Sequence, residues 1–259
     1  MNIRLAALYL RLLLLNEMQY RANFLLRIAT SVLSLGTSVI TLALVFRQVQ
    51  RLDGWDLYQL VVLAGVYTTL SGFTQMLVMP NALSLLTDIQ EGALDAVLLK
   101  PAGALLTVSV RSSKVWQGLD VAIGLATTTT GAVLSGGVGL SAVPVFAVTL
   151  LCAAALIYSF LMSIAISAFW FVKLDNVAEL FSGLFQAARW PVGLYPGWMR
   201  IGLTVLIPIG LAVTVPAEVL TSRATGAGPA ALAAFAAAGL AFTRFLWRRG
   251  LRRYSGASA

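Results

Sequence analysis

The sequence contains no histidine and one cysteine, and only 11% of its 259 residues carry charge. Without histidine the usual general base, the commonest metal ligand and any Ser-His-Asp triad are removed together. Cys152 has no intrachain partner for a disulfide. It lies in the run VTLLCAAALIYSF, where it reads as a small buried hydrophobe rather than a reactive thiol. No G-x-x-x-x-G-K-[ST] loop occurs, so the chain carries no phosphate cradle for ATP. Paired carboxylates within an apolar segment are also missing, which leaves an intramembrane enzyme the least supported class. No catalytic residue and no metal ligand set is expected.

What the chain has in quantity is apolar sequence. Hydrophobic residues make up 59% and the mean hydropathy is +0.88, which places it among integral membrane proteins. The formal charge of +8 does not indicate nucleic acid, because the bases are spaced between apolar runs rather than interleaved with exposed aromatics. Apolar segments at 24–46, 57–79, 113–134, 143–171, 177–195 and 229–247 each approach the roughly 20 residues a bilayer core requires. They predict an all-α polytopic membrane protein with six transmembrane helices in a single transmembrane domain covering 1–259. Residues 1–22 read as an interfacial helix touching membrane lipid. Arg11 interrupts the apolar region a signal peptide would need, and the leucines supply a wide apolar face.

A further apolar piece is broken by proline. Pro191, Pro196, Pro208 and Pro216 cluster there, and broken helices at membrane depth survive only where protein or a cavity satisfies their backbone. Residues 191–222 are therefore expected to form a re-entrant hairpin in the outer leaflet. Charge supports that arrangement. With both termini inside, Arg4, Arg11, Arg21, Arg27, Lys100, Arg111, Lys114, Lys173, Arg244, Arg248, Arg249, Arg252 and Arg253 face the cytoplasm. Only Arg47, Arg51, Arg189, Arg200 and Arg223 lie outside, which is the positive-inside pattern.

Three places hold residues that could do chemistry. The first is TDIQEGALDAVLLKPAG, in the cytoplasmic loop between the second and third spans. Asp88, Glu91 and Asp95 fall at i, i+3 and i+7, so a helix over 84–101 would stack three carboxylates on one face. The inner leaflet is anionic and would repel that face, which makes a basic protein surface its expected neighbour. Pro101 and Gly103 supply a stop. The second is Asp120, the one carboxylate placed inside a span. It is either a proton or cation site or an interface residue within helical reach of Lys114 and Trp116. The neighbouring threonines of TTTTG are expected to bond back to their own helix or to glue adjacent helices. The third is RWPVGLYPGWMR, where Arg189, Trp190, Tyr195, Trp198 and Arg200 form an aromatic belt with snorkelling arginines, a gate for an amphiphile, or both.

These features together resemble the membrane permease subunits of ABC exporters of the second type, in their six-span bacterial branch. The likeness rests on EMQYRANFLLRI, LDGWDLYQLVVLAG, DIQEGALDAVLLKPAG and PVGLYPGWMRIGLTVLIPIGLAVTVPAEVL, in that order. The third is the most specific, with Glu91, Gly92, Leu94, Asp95, Leu98, Leu99, Lys100 and Pro101 matching the family pattern. The resemblance implies that Asp88 and the stretch through Pro101 couple to a separate cytoplasmic ATPase, which would hold ATP and magnesium. It also implies a dimer with a second copy or a homologous permease, and residence in a bacterial inner membrane. An ion- or proton-coupled carrier or channel built on Asp120 is the alternative. It predicts inverted repeats or several intramembrane charges, and neither is evident. Drug, glycolipid, peptide and polysaccharide precursor all remain open as cargo.

Overall fold

Apolar runs this long satisfy their backbone internally only as helices, and helices are what forms. The computed structural model describes residues 21–95, 104–136, 139, 141–171, 177–206, 208–224 and 226–254. In chain order these contain α1 (Arg21–Phe46), α2 (Leu57–Gln90), α3 (Ala104–Val110), α4 (Gly118–Leu134), α5 (Ala142–Ile166), α6 (Val177–Ala187), α7 (Gly197–Ile201), α8 (Ile209–Leu220) and α9 (Ala227–Leu251). No strand occurs among the described residues, only an isolated bridge between Leu52 and Trp55. The interfacial helix expected over 1–22 lies outside them, apart from the two residues that open α1.

Among the described residues, six single helices of membrane length are not found. Four single helices among the described residues are long and apolar enough to cross a membrane: the Ala29–Phe46 part of α1, α2, α5 with its 3-10 extension to Phe169, and α9. A bent pair, Gly197–Thr204 with Ile209–Leu220, raises the number to five if counted as one span. The expected third span is the 17-residue α4, led by a 3-10 turn over Val115–Gln117. The expected fifth span, 177–195, is not one helix. α6 has 11 residues, and Pro191 and Pro196 are themselves extended, with ψ of 136° and 152°, each breaking the chain ahead of a new short helical turn. An apolar window measures burial and not continuity, and proline separates the two.

α2 is the spine. It starts at a capping box in which the Gln59 amide donates to Asp56 Oδ1 (2.8 Å) and the Asp56 amide to Gln59 Oε1 (3.2 Å). It passes through a π-helical turn at Thr74–Val78, a distortion often found at functional positions. With 34 residues it is about 50 Å long.

α4 lies against α2 so closely that glycine is required on both. A Cβ built on Gly65 would stand 2.5 Å from the Thr128 amide nitrogen, and one on Gly124 would stand 2.8 Å from Thr69 Cα and closer still to its amide. Gly72 faces Val121 and Gly131 faces Val62 in the same way, at 2.8 and 2.9 Å from the backbone nitrogens. Small residues at this spacing let backbones approach where water-driven association is absent. The TTTTG threonines behave as expected: Thr127, Thr128 and Thr130 donate to carbonyls four residues back, and Thr129 to the one three back.

α8 fills the middle of the bundle, buried along nearly its whole length against α2, α5 and α9. The chain breaks before it at Pro208, bending the pair by 87°. Pro216, expected as a second break, instead sits inside an unbroken α8. Its ring removes one backbone donor, and burial on all sides holds the helix through the gap.

Candidate functional site

The first candidate region begins where α2 stops. Glu91 caps the helix and Gly92 follows with φ of +71°. The Ala93 amide turns back to the Asp88 carbonyl at 2.9 Å, closing the six-to-one bond that ends a helix on a left-handed glycine. A non-glycine residue at 92 would carry a strained backbone. The carboxylates consequently do not form the single helical stripe that their spacing predicts: helical backbone stops at Gln90 and resumes only at Asp95. Asp88 also has a partner within the chain. Its Oδ2 lies 2.5 Å from Arg111 Nη2, with both side chains largely buried. The same guanidinium donates to Ser84 Oγ. Glu91 remains exposed.

The turn is anchored rather than loose. Leu94 is completely buried, and Tyr254, near the C-terminus, donates its phenol proton to the Gly92 carbonyl at 2.7 Å. The Tyr254 ring packs edge-on against Phe169, which meets Trp247 in the same manner. Behind the turn, the Asn81 amide donates to the Ser112 carbonyl at 2.7 Å, and its carbonyl accepts from the Ser112 amide at 2.9 Å. These bonds hold the segment after α3 onto the lower half of α2. Leu98, Lys100 and Pro101 lie outside the described residues.

At the opposite end of the bundle, Leu52 and Trp55 exchange backbone bonds of 2.9 and 3.0 Å across Asp53 and Gly54. Both central residues have positive φ, 52° and 77°, as a type I′ turn demands. Arg223 closes over this turn. Its guanidinium donates to the Gly54 carbonyl and lies 4.7 Å above the Trp55 ring. A Cβ on Gly193 would collide with the Asp53 carboxylate, which would have to swing aside. Asp-Gly between Leu52 and Trp55 is a readable turn signal, whereas the role of Arg223 is not legible without the fold. Of the outer candidates, Pro191 is buried and Trp190 half-buried against the core. Trp198, Arg200 and Pro196 are exposed, which suits interfacial anchors. Tyr195 donates to the Ala187 carbonyl at 2.6 Å. Pro208 and Pro216 are buried within the bundle.

Asp120 stands in the first turn of α4, where it meets neighbouring helices rather than open surface. It is half-buried, its Oδ1 accepts from Ser31 Oγ of α1, and its backbone lies against Gly72 in the middle of α2. Arg189, from the outer candidate group, reaches the same crevice and donates to Ser38 Oγ. Two residues from separate sequence regions thus line one cavity of about 460 Å³.

A helical bundle with several membrane-length apolar helices, glycine-packed within and interrupted near one surface, is a polytopic membrane protein. Residues 32–258 match the family described as ABC-2 family transporter protein, and the chain belongs to that family. No curated protein and no solved structure matches it.

Proposed function

We propose that the chain is the transmembrane permease subunit of an ATP-driven exporter in a bacterial inner membrane, working with a separate cytoplasmic ATPase and a second permease. The observation that carries this reading is α2. One continuous helix joins the anchored turn at 91–94 to the outer turn clamped by Arg223. Displacement of the 84–101 region by an ATPase would move a rod about 50 Å long. The glycine contacts would carry that motion into α4, and the buried face of α8 would carry it into the broken outer region. The π turn at Thr74–Val78 is the place where such a rod can flex. In this reading Glu91, Gly92 and Asp95, with Leu98, Lys100 and Pro101, form the contact with the ATPase, which holds ATP and magnesium, and buried Leu94 anchors the turn that presents them. Residues 191–222 form the outer-leaflet re-entrant element.

Purified alone, the chain should hydrolyse no ATP; reconstituted with its ATPase it should stimulate hydrolysis and move substrate. Turnover by this polypeptide in the absence of any ATPase would sink the reading. Sidedness is tested separately in a Cys152→Ser background. A cysteine replacing exposed Gly226 should react only with external thiol reagent, and one replacing exposed Arg253 only from the cytoplasm. Labelling of both from one side contradicts the arrangement.

A further inference from the structure

The crevice shared by Asp120 and Arg189 is built from a repeated pattern. On α1, Ser31, Ser34 and Ser38 fall at i, i+3 and i+7, and on α2, Thr68 and Ser71 face them at helical spacing. The result is a hydroxyl-lined cavity of about 460 Å³ at the depth of apolar helices, where polar groups are expensive and mark binding sites or pathways. It opens to the surface at exposed Ser34. Its volume falls within the range of small-molecule sites.

The charges are ordered along the cavity. Asp120 sits at the level of Ser31 and Arg189 at the level of Ser38. Those levels are seven residues apart, or about 10.5 Å. Contacts of about 3 Å at each end leave about 4–5 Å between the charges of a bound ligand. We infer that this crevice binds a compact zwitterion, with its cationic group towards Asp120, its anionic group towards Arg189 and the serines and threonines between. A lipid headgroup carrying an ammonium and a phosphate has this chemistry, and so does the same headgroup free of its acyl chains. The inference deepens the exporter reading by naming a substrate class, but the binding itself requires no ATPase.

The test uses the full chain with Cys152→Ser and Ser34→Cys, reconstituted in phosphatidylglycerol vesicles. The rate at which the new thiol reacts with a small neutral reagent is the readout. Soluble glycerophosphoethanolamine, or phosphatidylethanolamine added to the vesicles, should slow the reaction about tenfold at ten times its dissociation constant. Protection by the soluble compound identifies a free zwitterion as sufficient; protection by the lipid alone identifies a lipid-borne headgroup. Asp120→Asn and Arg189→Gln should each remove the protection, and Arg189→Lys should keep it. Absence of protection by either probe overturns the proposal, as does equal protection by glycerophosphoglycerol, which has no cation. The comparison of probes in the unaltered charge background decides the matter even if a charge variant fails to insert. A negative result leaves ATPase coupling standing, and loss of coupling leaves the binding result standing.

Discussion

Replacing Gly124 with leucine is expected to eliminate the folded permease. A Cβ at this position would meet Thr69 backbone, with Cα at 2.8 Å, and across the same contact Gly65 faces the Thr128 amide at 2.5 Å. Backbone cannot rotate aside as a flexible side chain can, so α2 and α4 must separate. Overpacking by one methyl group costs about 1–3 kcal/mol in a well-packed interior, and leucine adds three further carbons at the same spot. Within a bilayer no hydrophobic gain between helices offsets the lost contact. Gly124→Ala should lower the melting temperature in detergent, and Gly124→Leu should give no monodisperse protein. Gly36 and Gly183 are controls, since a Cβ at either meets nothing within 4 Å, and alanine there should leave melting unchanged. Wild-type melting of Gly124→Leu would show that the two helices do not depend on this approach.

The contrast between Gly124 and Gly36 shows where the sequence is informative. Composition alone places the chain in a membrane as helices, because a backbone in hydrocarbon has few other solutions. The proline cluster marks the break at Pro208 for the same reason, and the threonine run returns to its own carbonyls as its chemistry suggests. Both depend on neighbours within a few residues. Gly65 and Gly124 read alike with Gly36 until a facing helix is known. Nothing local to Asp120 points to Arg189, which lies in the turn after α6, with the rest of α4 and all of α5 between them in the chain. Gly92 is different: a glycine after a helical stretch is a standard stop, yet the expected helix over 84–101 runs through it to a stop at Pro101 and Gly103. A regular spacing of carboxylates carried through it suggests a stripe, but a left-handed residue resets the direction of everything that follows. Pro216 errs in the opposite sense. A proline predicts a break only when burial around the helix is too weak to hold it.

That correction changes what charge reversal should do at the turn proposed to face the ATPase. Asp88 and Glu91 are three residues apart, but one is paired with Arg111 and largely buried while the other faces solvent. Asp88→Lys sets two cations against each other beside Ser84 and should cost the permease about 2 kcal/mol, the scale of a charged hydrogen bond. The loss is intrinsic and should appear as a lower melting temperature without any ATPase present. Exchanging the partners, Asp88→Arg with Arg111→Asp, should restore most of it, and the coupling of the two changes is measured by a double-mutant cycle. Glu91→Lys should leave melting unchanged, because among the described residues no ion pair or side-chain hydrogen bond engages its exposed carboxylate, and should weaken the proposed complex with the ATPase about tenfold through like-charge repulsion. Added salt should reduce that difference, since an exposed contact is screened beyond about 10 Å at 0.1 M. If Glu91→Lys instead co-purifies with the ATPase as wild type does, while Asp88→Lys melts unchanged and alone loses the complex, then Asp88 rather than Glu91 is the residue the ATPase reads. Arg111 would in that case be an occasional neighbour, and the ion pair would have to open when the two proteins meet.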